Sequence, residues 1–213
     1  MGVGPHALAL LADLASDGAL RRGQAVVEIG SQDFVPDAFE LTPLFAAFDV
    51  PAKAEFEGAR ELMLHLGFSP YCCIDMDRRH GAIPLDLNEA PASEVGGGQF
   101  DVVTNFGTTE HVFDQARCFE LIHDLTILGG VMIHVVPSAG PREFDDGGAH
   151  GIGYGAHGFY LYTPNFFCDL AAANGYETLR CREETNKYGV SLVVVFRRKT
   201  DEPFRKPIQE IYR

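Results

Sequence analysis

Val26-Val27-Glu28-Ile29-Gly30 is the most informative segment for the fold, because it predicts a short buried strand that stops at a glycine. Comparable apolar runs return at residues 71–75, 100–105 and 131–136. Segments with apolar residues at helical spacing lie between these runs. Strands that alternate with helices in this way predict an α/β fold with a mainly parallel sheet.

The remaining elements complete the predicted sheet and its helical layers. The predicted helices cover residues 5–20, 54–66, 114–128 and 164–174. Thr163 is the predicted N-cap of the last helix, and Gly175 its end. Residues 82–87 predict a short additional strand. Residues 176–181 and 190–198 predict a closing hairpin, which places one antiparallel strand in the sheet.

Length and charge exclude several classes of protein. The chain has 213 residues, which suits one domain with its own core. Lys and Arg number 17 and Asp and Glu number 30, so the net charge is −13. A surface this acidic repels phosphate backbones, and we expect no nucleic-acid partner. The longest apolar run, residues 190–196, is far shorter than the roughly 20 residues of a membrane helix, so we expect no membrane partner.

The cysteines and the N-terminus indicate the compartment. The five cysteines include no C-x-x-C pair, so we expect neither a disulfide framework nor a structural zinc site. The first residues lack the basic and apolar segments of a signal peptide. Together these features predict a reducing, cytoplasmic location. The sequence leaves homo-oligomerisation open.

Polar residues gather at the carboxyl ends of the predicted strands, where open parallel sheets bind ligands. These residues include Glu28, Gly30 and Ser31; Asp75 and Met76; Asp86; and Asn105. Carboxylates at strand ends suit a ligand with ribose hydroxyls, because a carboxylate accepts hydrogen bonds from both hydroxyls.

Taken in order, these segments resemble the motifs of class I S-adenosylmethionine-dependent methyltransferases of the small-molecule type. The resemblance spans residues 24–198 and is carried by residues 26–30, 71–75, 83–87, 100–112, 128–137, 157–159, 162–167 and 175–176. It implies a Rossmann-like, seven-stranded, mainly parallel sheet with helices on both faces and a C-terminal antiparallel hairpin. It also implies a single methyltransferase-like domain over residues 1–213, with residues 199–213 as a tail.

The function implied by this resemblance is methyl transfer from S-adenosylmethionine to a small-molecule acceptor, at an oxygen or a nitrogen. Glu28 is then expected to support the amino end of the cofactor through the loop of Gly30 and Ser31. The backbone of Asn105 and Phe106 is expected to face the methionine part.

The nucleoside part of the cofactor is assigned to the next two strand ends. The resemblance implies that Asp75 binds the ribose, with Met76 beside it. Asp77, two residues later, is the alternative for the ribose. Asp86 is expected to bind the adenine amino group, and Leu87 to lie beneath the ring.

The chain departs from the family pattern in two places. The family usually has two or three glycines in the first loop, whereas here Gly30 is followed by Ser31, Gln32 and Asp33. We therefore expect the methionine end to be held differently. Residues 33–51 lengthen the connection to the second strand, and we interpret them as an insertion. With residues 147–158 they are predicted to form a lid over the acceptor pocket.

Two histidines are candidates for the base that takes a proton from the acceptor. His157, which ends a glycine-rich loop on the acceptor side, is the favoured candidate, and His111, which follows a strand end, is the other; an imidazole titrates near neutral pH. A metal site formed by His111, His150 and His157 is the less favoured alternative, and we predict no metal. His134 lies within an apolar strand and is expected to be a core residue.

Two other functions stay open at this point. The altered loop after Gly30 is compatible with a non-catalytic, methyltransferase-like domain that binds a partner protein. A nicotinamide-dependent oxidoreductase on a related sheet is less favoured, because no G-x-G-x-x-G follows the first strand and no Tyr-x-x-x-Lys pair occurs.

Overall fold

Strands and helices alternate along most of the chain in the computed structural model, which describes residues 2–35, 41–95, 99–140, 158–186 and 189–207. The strands are β1 (Gly2–Val3), β2 (Val26–Ile29), β3 (Asp33–Phe34), β4 (Tyr71–Ile74), β5 (Phe100–Asn105), β6 (Thr126–Pro137), β7 (Tyr176–Asn186) and β8 (Gly189–Arg198). The helices are α1 (Pro5–Ser16), α2 (Thr42–Phe48), α3 (Ala59–His65), α4 (Gln115–Leu125) and α5 (Pro164–Asn174).

The main sheet of the described residues has six strands in the order β4-β2-β5-β6-β8-β7. The first four are parallel, and β8 is antiparallel to both of its neighbours, which confirms the closing hairpin. Ile29 lies opposite both Ile74 and Asn105, so the carboxyl ends of β2, β4 and β5 meet at one edge. Strands β1 and β3 form a separate parallel pair.

The prediction of seven strands is wrong for the described chain, because residues 82–87 form a single bridge instead of a strand. Only Ile83 pairs with β4, through Ile74. The segment is confined between a 3₁₀ turn, Arg79–Gly81, and a turn in which the N–H groups of residues 89 and 90 donate to Asp86 O. Pro84 also lacks an N–H group, so no ladder extends beyond Ile83.

The helix predicted over residues 114–128 ends earlier, at Leu125. Thr126 pairs with Phe100 and opens β6, and its hydroxyl donates to Ile122 O at 2.7 Å. Leu128 continues the helical spacing of leucines in the sequence, but it is 57% exposed. The helix predicted from the apolar periodicity is therefore three residues too long at its C-terminal end.

The other predicted boundaries also shift. The helix predicted over residues 54–66 begins at Ala59, and the first hairpin strand extends to Asn186. The described part of the insertion at residues 33–51 contains β3 and α2 and buries Leu44, Phe45 and Phe48 in the core. Its role as a lid stays a prediction.

Alternation along the strands divides the core into two layers, as expected for helices on both faces. Val26, Val102 and Val131 pack with apolar residues of α1, α2 and α3. Val27 and Val103 face the opposite side and pack with α4 and α5. The N-cap hydroxyl of Thr163 accepts the Phe166 N–H at 3.2 Å and Gly175 ends α5 at φ +63°, both as predicted from the sequence.

The second layer supports the edge where β5 ends. Phe167 of α5 is fully buried, and its ring lies 5.3 Å from the ring of His134 on β6. We expect Phe167→Ala to lower the free energy of unfolding by about 3–5 kcal/mol, because a large cavity opens in a packed layer. Phe159→Ala is the matched control, since Phe159 is 68% exposed. Denaturant unfolding of both variants checks this, and equal losses would contradict it.

Candidate active site

The turn at Gly30 closes the carboxyl end of β2. Gly30 has a φ of +93°, a left-handed conformation that favours glycine. Its N–H group donates to Ile74 O at 2.8 Å, which ties the turn to β4. A Cβ atom here would overlap the hydroxyl of Thr108 and lie 2.9 Å from Gln32 Nε2. The backbone and two neighbouring side chains thus approach too closely for any side chain at Gly30.

Asp75 follows β4 and faces the Gly30 turn. Its Oδ2 accepts the Ser31 N–H at 2.7 Å, and its Oδ1 accepts the Asp77 N–H at 3.1 Å. A carboxylate oxygen has two lone pairs, so each oxygen can accept one further donor. The residue is half-buried, and it can therefore receive two hydroxyl groups of a ligand.

Asp77, the alternative to Asp75, belongs to a separate network. Its carboxylate pairs with the Arg79 guanidinium and accepts the Arg79 N–H at 2.9 Å. Arg79 also contacts Asp33 at 3.2 Å, and His80 Nε2 lies 3.1 Å from the same carboxylate. The His80 hydrogen bond, with Arg79, holds the pKa of Asp33 below its usual value. Asp77 anchors this turn, so the geometry favours Asp75 for an incoming ligand.

The residues expected on the adenine side, Met76, Asp86 and Leu87, differ in how far they are exposed. Met76 is 65% exposed and offers a polarisable apolar surface beside Asp75. Asp86 is also exposed, and its carboxylate accepts the backbone and side-chain N–H groups of Asn88 at 2.9 and 2.7 Å. These bonds lower the pKa of Asp86, which keeps it charged. Leu87 is buried in the core.

Asn105 ends β5 and organises the turn that follows. Its Oδ1 accepts the N–H groups of Thr108 and Thr109 at 3.1 and 3.2 Å, and its Nδ2 donates to Thr109 Oγ1 at 2.9 Å. Nδ2 also lies 3.2 Å from His134 Nδ1. Burial lowers the pKa of His134 to about 3, so this ring is a neutral core residue, as predicted. The side chains of Asn105 and Phe106 are both buried, which leaves only their backbone groups for a ligand.

Glu110 is a candidate that the sequence reasoning missed. Its side chain is fully buried, and neither carboxylate oxygen has a hydrogen-bond donor within the described ranges. The Nε2 atom of His111 is 3.9 Å from its Oε1. Burial raises the pKa of Glu110 to about 7. The signal in the sequence was its place directly before His111, in the turn after a buried strand.

Glu28 is a second buried carboxylate, on β2. The Tyr71 hydroxyl donates to its Oε2, while its Oε1 has no partner in the described part of the chain. Burial raises the pKa of Glu28 to about 7, against the opposite effect of the Tyr71 hydrogen bond.

Unpaired buried atoms concentrate at this edge. Within the described residues, the buried side-chain oxygens without a hydrogen-bond partner belong to Glu28, Gln32, Thr104 and Glu110. All four residues lie on β2, on β5 or in the loops directly after them. Native interiors leave few polar atoms unpaired, so this concentration makes the edge the candidate ligand site.

His157, the other candidate base, and His150, a member of the less favoured metal site, lie outside the described residues. Residues 147–157 of the predicted lid lie outside them as well. In the ranges that are described, no three His, Cys, Asp or Glu side chains come together in a way that could hold a metal ion. No helix in those ranges is both long and apolar enough to cross a bilayer.

Comparison with known proteins gives matches in structure alone. No family model matches the chain, and no curated protein matches its sequence. A 1,6-didemethyltoxoflavin-N1-methyltransferase from Burkholderia thailandensis, determined with 1,6-didemethyltoxoflavin and S-adenosylhomocysteine, superposes with a TM-score of 0.55. The alignment has 15% identity and covers 92% of this chain and 80% of that one. The chain has the fold of class I methyltransferases.

Two further solved structures agree with this fold. The N-methyltransferase NodS from Bradyrhizobium japonicum matches with a TM-score of 0.52 and 11% identity, over 92% of this chain and 96% of its own. The methyltransferase CalH, in complex with S-adenosylhomocysteine, matches with a TM-score of 0.51 and 14% identity. That alignment covers 90% of this chain and 55% of CalH.

The buried carboxylates predict how stability depends on pH. Glu28 binds its proton more tightly when folded, with a pKa of about 7 against 4.5. Between these values the folded chain holds a proton that the unfolded chain releases, so stability falls as pH rises. Glu28→Gln cannot ionise and keeps an acceptor for Tyr71. We expect its free energy of unfolding, relative to the unmodified chain, to rise by roughly 3 kcal/mol between pH 4.5 and pH 8.

Urea unfolding at several pH values checks this expectation. Glu89→Gln is the control, because Glu89 is exposed and should show no such trend. A difference between Glu28→Gln and the unmodified chain that stays constant with pH would contradict the assignment of a protonated Glu28.

Proposed function

We propose that this protein transfers a methyl group from S-adenosylmethionine to a small-molecule acceptor, at an oxygen or a nitrogen. The observation that carries the proposal is the pairing of the Gly30 turn with Asp75, whose two oxygens each keep one free acceptor position. This pairing lies at the ligand-binding edge of a methyltransferase fold. The neighbours determined with S-adenosylhomocysteine support the choice of cofactor.

The described residues fit this cofactor along its length. Asp75 would accept the ribose hydroxyls, because its carboxylate faces the turn and is half-buried. Met76 would contact the adenine ring with its exposed thioether, and the charged Asp86 would accept the adenine amino group. Leu87 would support that end from within the core.

The amino-acid part of the cofactor falls to the turn after β2. Gly30 lets the turn pass beneath the Gln32 and Thr108 side chains, Ser31 is already tied to Asp75, and Glu28 lies buried on the strand that precedes the turn. The backbone of Asn105 and Phe106 completes this side, because their side chains are committed to the protein interior.

When bound, S-adenosylmethionine supplies a methyl group on a positively charged sulfur. The chain contributes mainly position, since it fixes two reactants in one geometry. A hydroxyl acceptor must also lose its proton. We propose that His111 takes it, because Glu110 lies 3.9 Å away and a carboxylate stabilises the imidazolium that forms. His157 remains the alternative base.

The non-catalytic alternative has one observation in its favour. Gln32 and Thr108 fill the space above Gly30, where a glycine-rich loop would leave room for a ligand. A domain that has lost the cofactor would close this space in the same way. Calorimetry with S-adenosylmethionine and S-adenosylhomocysteine separates the two functions, because the non-catalytic domain would bind neither.

Asp75→Ala should weaken binding of S-adenosylhomocysteine by about 1–3 kcal/mol, because two hydrogen bonds to a charged acceptor are lost. Asp77→Ala is the matched control, and we expect it to change the affinity little, since Asp77 serves Arg79. Isothermal titration calorimetry measures both. A larger loss of affinity in Asp77→Ala than in Asp75→Ala would assign ribose binding to Asp77 instead.

His111→Ala should lower kcat by roughly 10²–10⁴-fold while the affinity for S-adenosylhomocysteine stays nearly the same. The measurement is turnover of any acceptor found by screening hydroxyl and amine compounds, with His157→Ala assayed in parallel. If kcat collapses only in His157→Ala, the base is His157. If neither variant loses turnover, the reaction proceeds by positioning alone.

A further inference from the structure

We propose that the side chains of Gln32 and Thr108 bind the amino-acid end of the cofactor. In the loop after β2, the family that the chain resembles has further glycines, whereas this chain has Ser31, Gln32 and Asp33. Gln32 thus brings hydrogen-bonding groups to a loop that is usually without side chains. The inference rests on the proposed S-adenosylmethionine-dependent function and names the residues that recognise one part of that molecule.

The first observation is the position of the two side chains. Gln32 Nε2 donates to Thr108 Oγ1 at 3.1 Å, and the pair lies directly over Gly30. The backbone of each residue is fixed by a hydrogen bond to a neighbouring segment. Asn105 Oδ1 accepts the Thr108 N–H at 3.1 Å, and Gln32 O accepts the Ala59 N–H at 3.3 Å. The pair is therefore a fixed part of the edge where β2 and β5 end.

The second observation is unused hydrogen-bonding capacity. Gln32 is 3% exposed, and its Oε1 has no donor within the described ranges. A carboxamide nitrogen has two hydrogens, of which Thr108 takes one. The Thr108 hydroxyl accepts that bond and keeps its own hydrogen for another acceptor. A buried amide oxygen left without a donor is destabilising, so its retention calls for a ligand.

The unused groups are complementary to a zwitterion. Gln32 Oε1 can accept an N–H of an ammonium group. The second Nε2 hydrogen and the Thr108 hydroxyl can donate to a carboxylate. The amino-acid end of S-adenosylmethionine carries both groups next to each other, whereas its nucleoside part carries neither. Hydrogen bonds at a site this buried discriminate strongly, because a missing partner leaves a desolvated polar group.

A purely structural role for Gln32 makes a different prediction. If the Gln32–Thr108 bond only joined two loops, its loss would loosen the whole edge and weaken all ligands alike. Recognition of the amino-acid end would weaken only ligands that possess that end. Two probes separate these cases: S-adenosylhomocysteine, and 5′-methylthioadenosine, which has the same nucleoside and a thioether but lacks the amino-acid end.

The experiment is calorimetry of both probes with four proteins: the unmodified chain, Gln32→Met, Thr108→Val and Asp75→Ala. The first two substitutions keep side-chain volume and remove the polar groups. We expect each to weaken S-adenosylhomocysteine by about 10- to 100-fold and 5′-methylthioadenosine by less than about 3-fold. Asp75→Ala should weaken both probes, because both contain the ribose.

Each result decides between the proposals. Equal losses for both probes in Gln32→Met and Thr108→Val, or an unchanged affinity for S-adenosylhomocysteine, would overturn the assignment of these side chains and leave the proposed function standing. Failure of the unmodified chain to bind either probe would overturn the proposed function and this assignment together. Thr108→Val keeps the test decisive if Gln32→Met does not fold.

Discussion

The proposed ligand-binding edge depends on the absence of a single atom, the Cβ of residue 30. The turn there has a positive φ, and a Cβ would collide with the hydroxyl of Thr108. Any other residue at Gly30 would separate the loop after β2 from the turn after β5. The first carries Ser31 beside Asp75, and the second carries Glu110 and His111. The β2–β5 pairing, the close approach of Thr108 to Gly30 and the Gln32–Thr108 hydrogen bond thus hold the two halves of the proposed site in register.

The buried polar groups of this edge fall into two kinds. Asn105 uses both ends of its carboxamide within the protein, and His134 faces it from β6. Such a satisfied network fixes one conformation of the turn. Glu28, Gln32 and Glu110, in contrast, keep oxygens without partners in the described part of the chain. The same strands therefore supply both the rigid support and the unused capacity of the site.

Much of this architecture could be predicted from the sequence. Strands β2, β4 and β5 are apolar runs that end at polar residues, and their parallel register brings those residues together. The structure differs where a local pattern had no tertiary support. The periodicity of leucines extended to Leu128, yet Thr126 already pairs with β5. The burial of Glu110 was not predictable, because a glutamate in a polar turn usually reads as solvated and its covering residues, 158–160, are distant in sequence.

The acidity of the edge acts on binding and on the proposed reaction in opposite ways. The sulfonium loses its charge as the methyl group leaves, so ionised carboxylates beside it would stabilise the reactant more than the transition state. Burial moderates this effect at Glu28, since a pKa of about 7 leaves it largely protonated below neutral pH. Asp86 is exposed and stays ionised, and it belongs to the proposed adenine end. In the proposed site, full negative charge would therefore lie at the adenine end, and only partial charge at Glu28, where it would oppose transfer.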